Sequence, residues 1–300
     1  MMRIYNTIDT YIEPAGYALS VGSFDGLHIG HRAVIDSGTP GIARAVLTFA
    51  EHPAAALGRP CPPLLQSNAD RRQMLTDWNV SALIEADFAA LCRLSPADFV
   101  GQLAQCLRPS MLCVGYNFRF GAGAQGNVKE LRTLCRQQGI ALCVTDPVSY
   151  LDAPVSSTRI RAAVADGELA DAAAMLGRPF ALTLPVTAGD RRGREWGLRT
   201  LNQIIDPAYA CPRFGVYLTA VTLDEKTYNS VTNVGLRPTF AADRPLLETH
   251  ILDYMGDLYD QAVTVQFGRF LRPERQFDQI ADLRAQIEQD IACRRAEPNN

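Results

Sequence analysis

The sequence lacks the features of a membrane protein, a secreted protein or a nucleic-acid-binding protein. No apolar run approaches the roughly 18 residues that a membrane span requires. The N-terminal stretch Met-Met-Arg-Ile-Tyr-Asn has no apolar core of the kind found in signal peptides. The net charge is −3, so there is no basic surplus for binding nucleic acid. We therefore expect a cytoplasmic protein with small-molecule ligands, a monomer or weak homo-oligomer without nucleic-acid or membrane partners.

The eight cysteines include no C-x-x-C pair, which argues against a structural zinc site and against a disulfide framework. Several stand between apolar residues, as Cys113 and Cys143 do. Free cysteine behaves as a small buried hydrophobe, so we expect nearly all eight to be packing residues. Internal repeats and low-complexity tracts are also absent from the sequence.

The first half of the chain alternates short apolar runs with helical periodicity. This alternation predicts an α/β fold, in which a parallel sheet is covered by helices on both faces. In such sheets ligands bind beyond the carboxyl ends of the strands. The predicted strands are 18–22, 44–49, 82–84, 111–115 and 140–144, and the predicted helices are 31–37, 68–78, 96–107 and 128–138.

The second half is rich in β-branched and aromatic residues separated by turn signals, which predicts an antiparallel β-barrel. The predicted strands are 181–186, 214–223, 228–235, 247–254 and 262–270. A terminal amphipathic helix is expected to pack its apolar stripe on the barrel; the stripe is Phe277, Ile280, Leu283, Ile287 and Ile291. Two short helices precede the barrel, and the second ends at Gly177. We place the boundary there, giving domains 1–180 and 181–300 in a chain of 300 residues.

The stretch from Gly22 to His31 predicts a phosphate site in the first domain. It reads as the end of a strand, a turn containing Gly26, and a helix start with His28 and His31 three residues apart. A helix N-terminus favours phosphate because its backbone N–H groups are unpaired, and imidazoles add further donors. Capped or core histidines are the ordinary alternative. A metal site that also uses His52 is a weaker one, since further ligands are missing.

Two further stretches of the first domain contain candidate ligand groups. Ser156, Thr158 and Arg161 stand at a predicted helix start, where they form either an ordinary cap or a second phosphate cradle. The loop with Asn117, Phe118 and Arg119 predicts either a packed aromatic turn or a place to hold a flat ring by stacking and amide hydrogen bonds. Two phosphate cradles in one domain favour triphosphate binding.

The second domain contains a glycine-rich basic stretch from Gly189 to Asn202, which predicts either a loop over phosphates or an ordinary polar loop. Glu248 lies on a strand with alternating polar residues. It either faces water or serves as general base for a hydroxyl nucleophile.

These motifs together resemble the bifunctional riboflavin kinase/FAD synthetase family of bacteria over nearly the whole chain. The first half looks like that family's FMN adenylyltransferase, a Rossmann-like nucleotidyltransferase with an H-x-G-H motif. The matching stretches there are 22–31, Thr48-Phe49 with His52-Pro53, 114–121, 156–161 and the junction 176–180. The second half resembles the family's riboflavin kinase β-barrel through 215–217, 233–240, 247–250, 257–259 and 271–274.

The resemblance implies that ATP and FMN react in the first domain. His28 and His31 would be catalytic, binding the ATP phosphates and stabilising the transition state. Asn117, Phe118 and Arg119 would form the flavin and nucleotide loop. The residues implied to bind ATP phosphates are Gly22, Phe24, Asp25, Gly30, Ser156, Thr158 and Arg161. An FMN phosphate oxygen would attack the α-phosphorus of ATP, giving FAD and pyrophosphate.

For the second domain the resemblance implies phosphorylation of riboflavin by ATP with Mg²⁺. Glu248 would take the proton from the riboflavin hydroxyl, and Thr200 and Asn202 would sit at the metal. The phosphate loop would include Gly193, Arg194 and Gly197. This sequence departs from the family's Gly-x-Pro-Thr-x-Asn signature, because Arg199 replaces the proline. Losing that constraint could loosen Thr200.

Two other interpretations stay open at this point. The chain could be an FMN adenylyltransferase whose barrel only binds flavin or has a structural role. It could also be a flavin-binding regulator with little turnover.

Overall fold

The computed structural model describes residues 1–10, 16–187, 199–236 and 244–297, which form two compact units. The first unit comprises Met1–Pro62 and Ser67–Ser156, and the second comprises Pro63–Gln66 and Ser157–Asn300. The two helices before the barrel are thus grouped with the C-terminal residues. The domain boundary near residue 180 stays a prediction. Within the described ranges, no helix is long and apolar enough to cross a membrane.

The first unit alternates strands and helices, as the sequence predicts. Its strands are β1 Arg3–Tyr5, β2 Tyr17–Val21, β3 Ala43–Phe49, β4 Ala82–Ala86, β5 Met111–Gly115 and β6 Ala141–Thr145, with a short hairpin of β7 Ser149–Tyr150 and β8 Ala153–Pro154. Its helices are α1 Ile29–Asp36, α2 Pro53–Ala56, α3 Asn68–Asp77, α4 Phe88–Leu91, α5 Pro96–Gln102 and α6 Val128–Gln137. A π-helical turn, Leu103–Leu107, continues α5, and single 3₁₀ turns lie at Ile8–Thr10 and Ala122–Ala124.

Six of these strands form one parallel sheet in the order β1-β4-β3-β2-β5-β6. Each of β2 and β4 is buried along its whole length, because helices cover both faces. One core includes Leu19, Leu47 and Ile84, and the other includes Ala18, Val46 and Leu83. The parallel α/β prediction is confirmed. The sequence did not predict β1, a three-residue edge strand with only one half-buried residue.

The second unit begins with two short helices, continues with six strands and ends with a long helix. The helices are α7 Ser157–Asp166, α8 Leu169–Leu176 and α9 Ile280–Ala296. The strands are β9 Phe180–Pro185, β10 Leu201–Ile204, β11 Gly215–Leu223, β12 Lys226–Leu236, β13 Pro245–Ile251 and β14 Ala262–Arg272. Helix α8 ends as expected at Gly177, which has φ +73° and is followed by Pro179.

The six strands of the second unit form an antiparallel sheet in the order β10-β13-β12-β11-β14-β9. The two edges meet where the Thr187 N–H donates to the Asn202 carbonyl at 2.8 Å. The barrel prediction is therefore confirmed. Strand β10 lies in a stretch that the sequence had predicted as a loop. Its four residues are too few for period-two alternation to stand out beside a glycine-rich segment.

Four buried hydroxyl groups form a row inside this sheet. Thr219 Oγ1 lies 2.8 Å from both Ser230 Oγ and Thr232 Oγ1, and Thr232 Oγ1 lies 2.8 Å from Thr249 Oγ1. None of the four residues is more than 2% exposed. Each hydroxyl can donate one hydrogen bond and accept others, so the four groups serve as one another's partners. Buried without such partners, they would destabilise the fold.

The terminal helix packs only partly as predicted. The apolar stripe was expected to be its buried face, but Ile280 is 57% exposed and Phe277 precedes the helix. The buried residues of α9 are Asp290 and Arg294. Arg294 Nε donates to the Thr219 carbonyl at 3.1 Å. The stripe prediction holds in part, because Leu283, Ile287 and Ile291 are half-buried. The most buried residues of the helix are nevertheless charged, so it also docks through polar contacts.

Asp290 joins α9 to the end of β14. Its carboxylate accepts from Arg272 Nη2 at 2.7 Å and from Arg272 Nε at 3.1 and 3.2 Å, and also from Gln286 Nε2 at 3.1 Å. The side chains of Asp290 and Arg272 are only 5% and 14% exposed. Such a paired and hydrogen-bonded buried charge is tolerated, whereas either group alone would be strongly destabilising.

The eight cysteines occupy buried, half-buried and exposed positions. Cys113 and Cys135 are buried, whereas Cys61 and Cys293 are exposed, so the packing prediction fails for the last two. All eight are free thiols. Burial raises the pKa of the Cys135 thiol to about 11, which keeps it protonated and unreactive near neutral pH.

We predict that Asp290→Ala will lower the local free energy of opening of the second unit by about 3 kcal/mol, because it leaves Arg272 as an uncompensated, largely buried charge. Hydrogen–deuterium exchange of the β11 and β14 amides in the full chain measures this. The matched control is Glu288→Ala, an exposed position on the same helix, which should change exchange by less than about 0.5 kcal/mol. Equal effects of the two variants would contradict the prediction.

Candidate active sites

The turn between β2 and α1 is buried and conformationally strained. Phe24 and Leu27 have φ +48° and +39°, and Gly26 has φ +83°. Non-glycine residues rarely adopt this left-handed region, and each costs on the order of 1 kcal/mol. Phe24 is only 2% exposed and Leu27 is fully buried, so packing of these two side chains holds the turn. A strained turn fixed by its own core is typical of a binding site whose backbone must be preorganised.

His28 is the N-cap of α1. Its backbone is extended, and its Nδ1 accepts a hydrogen bond from the His31 N–H at 3.2 Å. An imidazole that accepts at Nδ1 carries the proton of its neutral form on Nε2. The cap therefore fixes both the orientation of the ring and the identity of its donor atom.

The two histidine rings are held together by their neighbours. They stack with centroids 3.6 Å apart and planes at 16°, and the Phe24 ring meets His31 edge-on at 5.2 Å. A Cβ at Gly30 would lie 3.1 Å from His28 Cε1, and one at Gly22 would lie 3.2 Å from Phe24 Cζ. Both glycines thus leave room for the stacked rings. The two histidines present hydrogen-bond donors at the N-terminus of α1.

The neighbouring strand β3 supports the same turn. The Gly22 N–H donates to the Leu47 carbonyl at 3.1 Å, and Thr48 Oγ1 donates to the Ser23 carbonyl at 2.9 Å. Thr48 is fully buried, so this hydroxyl is directed by the core. Asp25, the acidic candidate of the turn, is 6% exposed. The carboxyl edge of the sheet therefore positions the whole turn, as expected for ligand sites of parallel sheets.

A buried ion pair near this edge was missed from the sequence. Glu85, at 3% exposure on β4, accepts from Arg71 Nη2 at 3.3 Å and is also paired with Arg72. Arg71 donates a second bond to the Phe49 carbonyl at 3.0 Å, and burial lowers the pKa of its guanidinium. The only sequence signal was one glutamate within the apolar run of β4.

The aromatic loop after β5 is mainly a packed turn. Phe120 is 5% exposed and stacks on Phe118 with centroids 5.6 Å apart, so both rings lie against the core. This favours the packed alternative for the two aromatic rings. Asn117 and Arg119 are exposed. A Cβ at Gly115 would lie 3.5 Å from Asn117 Oδ1, which places this amide at the carboxyl end of β5, the strand beside β2.

The residues of the second predicted cradle lie at the start of α7 and immediately before it. Ser156 is the last residue of the first unit, and Thr158 and Arg161 lie in the first turns of α7 in the second. Arg161 Nε donates to the Pro63 carbonyl at 2.6 Å. The predicted helix start is confirmed, and the phosphate role of these residues stays a prediction.

In the second unit, three polar residues form one row across three strands. Asn202 on β10 pairs with Glu248 on β13, which pairs with Asn233 on β12. Directly opposite residues of antiparallel strands point to the same face, so the three side chains are neighbours. This is the outer face, since the alternate residues Thr232 and Thr249 are fully buried. The sequence predicted Asn202 and Glu248 but not Asn233, whose signal is the strand register.

Asn202 and Thr200 differ in environment. Asn202 is 7% exposed, and its Oδ1 is buried without a hydrogen-bond partner in the part of the chain that the structure describes. Thr200 is exposed, one residue before β10. The three remaining candidates of the phosphate loop, Gly193, Arg194 and Gly197, lie outside the described residues.

Arg199 makes two contacts that a proline would only partly reproduce. Its carbonyl lies 2.8 Å from His250 Nδ1, and its Nη1 donates to the Met255 carbonyl at 3.1 Å. The residue before Thr200 is therefore anchored to β13 and to the segment that follows it.

The metal alternative for the histidines finds no support in the geometry. His52 caps α2 through Nδ1, which accepts from the Ala54 N–H at 3.1 Å, just as His28 caps α1. Among the described residues, no three His, Cys, Asp or Glu side chains cluster as metal ligands would.

Comparison with known proteins gives a consistent result. The chain matches the FAD synthetase family over residues 12–159 and the riboflavin kinase family over residues 176–297. A bifunctional riboflavin kinase/FMN adenylyltransferase from Bacillus subtilis is 31% identical over 290 residues, covering 93% of this chain and 91% of that protein. One of the same description from Haemophilus influenzae is 34% identical, covering 94% of each. A crystal structure described as a macrolide-efflux protein from Streptococcus pneumoniae is 25% identical with a TM-score of 0.90, covering 99% of each chain.

We predict that His28→Ala will destabilise α1 by about 1 kcal/mol, whereas His28→Asn will cost less because asparagine also accepts at the N-cap. Hydrogen–deuterium exchange of the α1 amides tests this. His52→Ala removes a chemically similar cap from a helix of four residues and should leave α1 unchanged. If both His28 variants destabilise α1 equally, the cap is not the source of the effect.

Proposed function

The chain belongs to the family of bifunctional riboflavin kinases/FMN adenylyltransferases, and we propose the residues by which its two halves carry out the two reactions. The C-terminal half phosphorylates riboflavin with ATP to give FMN. The N-terminal half transfers the adenylyl group of ATP to FMN, which gives FAD and pyrophosphate. The structural observation that carries the N-terminal assignment is the capped histidine stack at the start of α1.

In the N-terminal reaction a phosphate oxygen of FMN attacks the α-phosphorus of ATP, and the bond to pyrophosphate breaks. Negative charge builds on the oxygens around phosphorus, so preorganised donors there lower the barrier. His28 offers an Nε2 proton whose position is fixed by its cap, and His31 lies stacked against it. Gly22, Phe24, Asp25 and Gly30 shape the turn that presents these donors and the N-terminus of α1.

The other candidates of this reaction have supporting roles in the proposal. Asn117 and Arg119 supply exposed polar groups for the nucleotide or the flavin phosphate, while Phe118 supports their loop from the core. Ser156, Thr158 and Arg161 bind phosphate oxygens through hydroxyl and guanidinium donors, which suit a triphosphate.

In the C-terminal reaction Glu248 accepts the proton of the riboflavin hydroxyl as its oxygen attacks the γ-phosphorus of ATP, and ADP leaves. Asn202 and Thr200 fit a Mg²⁺ site, because Mg²⁺ prefers oxygen ligands and the buried Asn202 Oδ1 has no other partner in the described part of the chain. The ion would neutralise charge on the transferred phosphoryl group. Gly193, Arg194 and Gly197 are proposed to contact the same phosphates.

Flavin chromatography of the purified protein with riboflavin, ATP and Mg²⁺ tests the proposal. We expect FMN and then FAD. FAD formed only when FMN is supplied would instead indicate an adenylyltransferase with an inactive barrel. Binding of flavin without conversion would indicate a regulator.

We predict opposite effects for one substitution in each half. His31→Ala should lower FAD formation from FMN by about 100-fold or more, since it removes a transition-state donor, and FMN should accumulate from riboflavin. Glu248→Gln should lower riboflavin phosphorylation by at least about 100-fold and leave FAD formation from FMN intact. Initial rates of each reaction measure both effects. Loss of both reactions in either folded variant would contradict the assignment.

We further predict that Arg199→Pro will raise the rate of riboflavin phosphorylation by about two- to fivefold. Proline keeps the carbonyl that contacts His250 and restricts the approach to Thr200, an effect worth roughly 0.4–1 kcal/mol. Arg199→Ala, which loses the Met255 contact without adding a restraint, is the matched control. A lower rate in Arg199→Pro than in Arg199→Ala would show that the proline strains this segment.

A further inference from the structure

Glu274 lies beside the polar row of the second unit, and the proposed reaction gives it no role. It stands two residues after the end of β14, and its Oε1 accepts a hydrogen bond from Asn233 Nδ2 at 3.0 Å. Asn233 is the member of the row directly opposite Glu248. The contact therefore extends the row from the general base to a second carboxylate.

Gly235 provides the space that Glu274 occupies. A Cβ at this glycine would lie 2.0 Å from Glu274 Oε1, 2.6 Å from its Cδ and 2.9 Å from Oε2. The carboxylate thus lies where a side chain of residue 235 would stand. Gly235 is two residues from Asn233 on β12, and so it faces the same side of the sheet. A glycine inside a strand weakens it, and close approach of another group is a physical reason for keeping one.

The position of Glu274 is supported from behind. Arg272, the last residue of β14, is held in several hydrogen bonds by the buried Asp290 of α9. Pro273 follows and restricts the backbone between Arg272 and Glu274. The end of the strand is therefore fixed, and Glu274 follows it by only two residues.

Hydrogen bonding to Glu274 also determines the orientation of the Asn233 amide. An ionised carboxylate can only accept, so the NH₂ end of Asn233, and not its carbonyl, must face Glu274. Without this partner the amide could rotate by 180° and exchange its donor and acceptor ends. Because Asn233 is the cross-strand neighbour of Glu248, that exchange would change which polar group faces the base and its substrate.

We propose that Glu274 is a positioning residue for riboflavin phosphorylation. Its carboxylate occupies the space left free by Gly235 and orients the Asn233 amide beside Glu248. The inference rests on the kinase function proposed above. It assigns Glu274 no contact with the reacting atoms. Its effect must therefore pass through Asn233, and it must depend on hydrogen bonding rather than on charge.

A set of single and double variants of the full chain tests this route. Glu274→Ala and Gly235→Ala should each lower kcat for riboflavin phosphorylation by about tenfold, with a smaller change in KM, since a small misplacement near the reacting groups costs rate. Glu274→Gln should stay within about twofold of the parent, because its amide oxygen still accepts from Asn233. Adding Glu274→Ala to the Asn233→Ala variant, or to the Gly235→Ala variant, should not lower kcat any further.

The controls separate this inference from the function on which it rests. FAD formation from FMN and the thermal midpoint should stay unchanged in every variant, and Glu288→Ala should behave as the parent in both assays. Three outcomes would overturn the inference even if the parent chain makes FMN. They are parental kinetics in Glu274→Ala, multiplicative losses in the double variants, and a Glu274→Gln variant as slow as Glu274→Ala. A parent chain that makes no FMN from riboflavin would overturn the kinase function itself.

Discussion

The hydrogen bond from the His31 N–H to His28 Nδ1 is the interaction on which the N-terminal site depends. It ends the strained turn, begins α1 and determines which nitrogen of His28 carries a proton. The strained residues before it are tolerated because Phe24 and Leu27 are packed in the core. His28 therefore has a structural role as the N-cap of α1 as well as its proposed role as a hydrogen-bond donor. A ring that only donated to a ligand could be replaced by another donor, but replacing His28 would also remove the N-cap of α1.

The two units place their reactive groups by different physical means. In the first, a parallel sheet brings backbone N–H groups and imidazoles to the carboxyl ends of its strands, where a helix start already favours anions. In the second, the register of an antiparallel sheet brings Asn202, Glu248 and Asn233 into one row. The first arrangement suits the charge stabilisation proposed for adenylyl transfer, and the second suits the proposed alignment of a riboflavin hydroxyl with Glu248 and an ATP phosphate.

Much of this arrangement could be predicted from the sequence, because local patterns report local structure. The strand, glycine turn and double histidine before α1 carry their signal within ten residues, and the structure confirms that local geometry. The failures concern contacts distant in sequence. The burial of Glu85 against Arg71 and the use of Asp290 as a docking group depend on partners that periodicity does not reveal. Asn233 joins the row only through strand pairing, which the sequence of one strand by itself does not specify.

The hydroxyl row inside the sheet has a consequence for folding accuracy. Thr232 and Thr249 are the immediate chain neighbours of Asn233 and Glu248, and they face the opposite side. A slip of one residue in either strand would turn an amide or a carboxylate into the interior and release the hydroxyls to water. The resulting buried charge would be far more costly than a mispaired hydroxyl. The buried hydroxyl row therefore favours the strand register that keeps Asn233 and Glu248 on the outer face, because a barrel closed in a slipped register would be less stable.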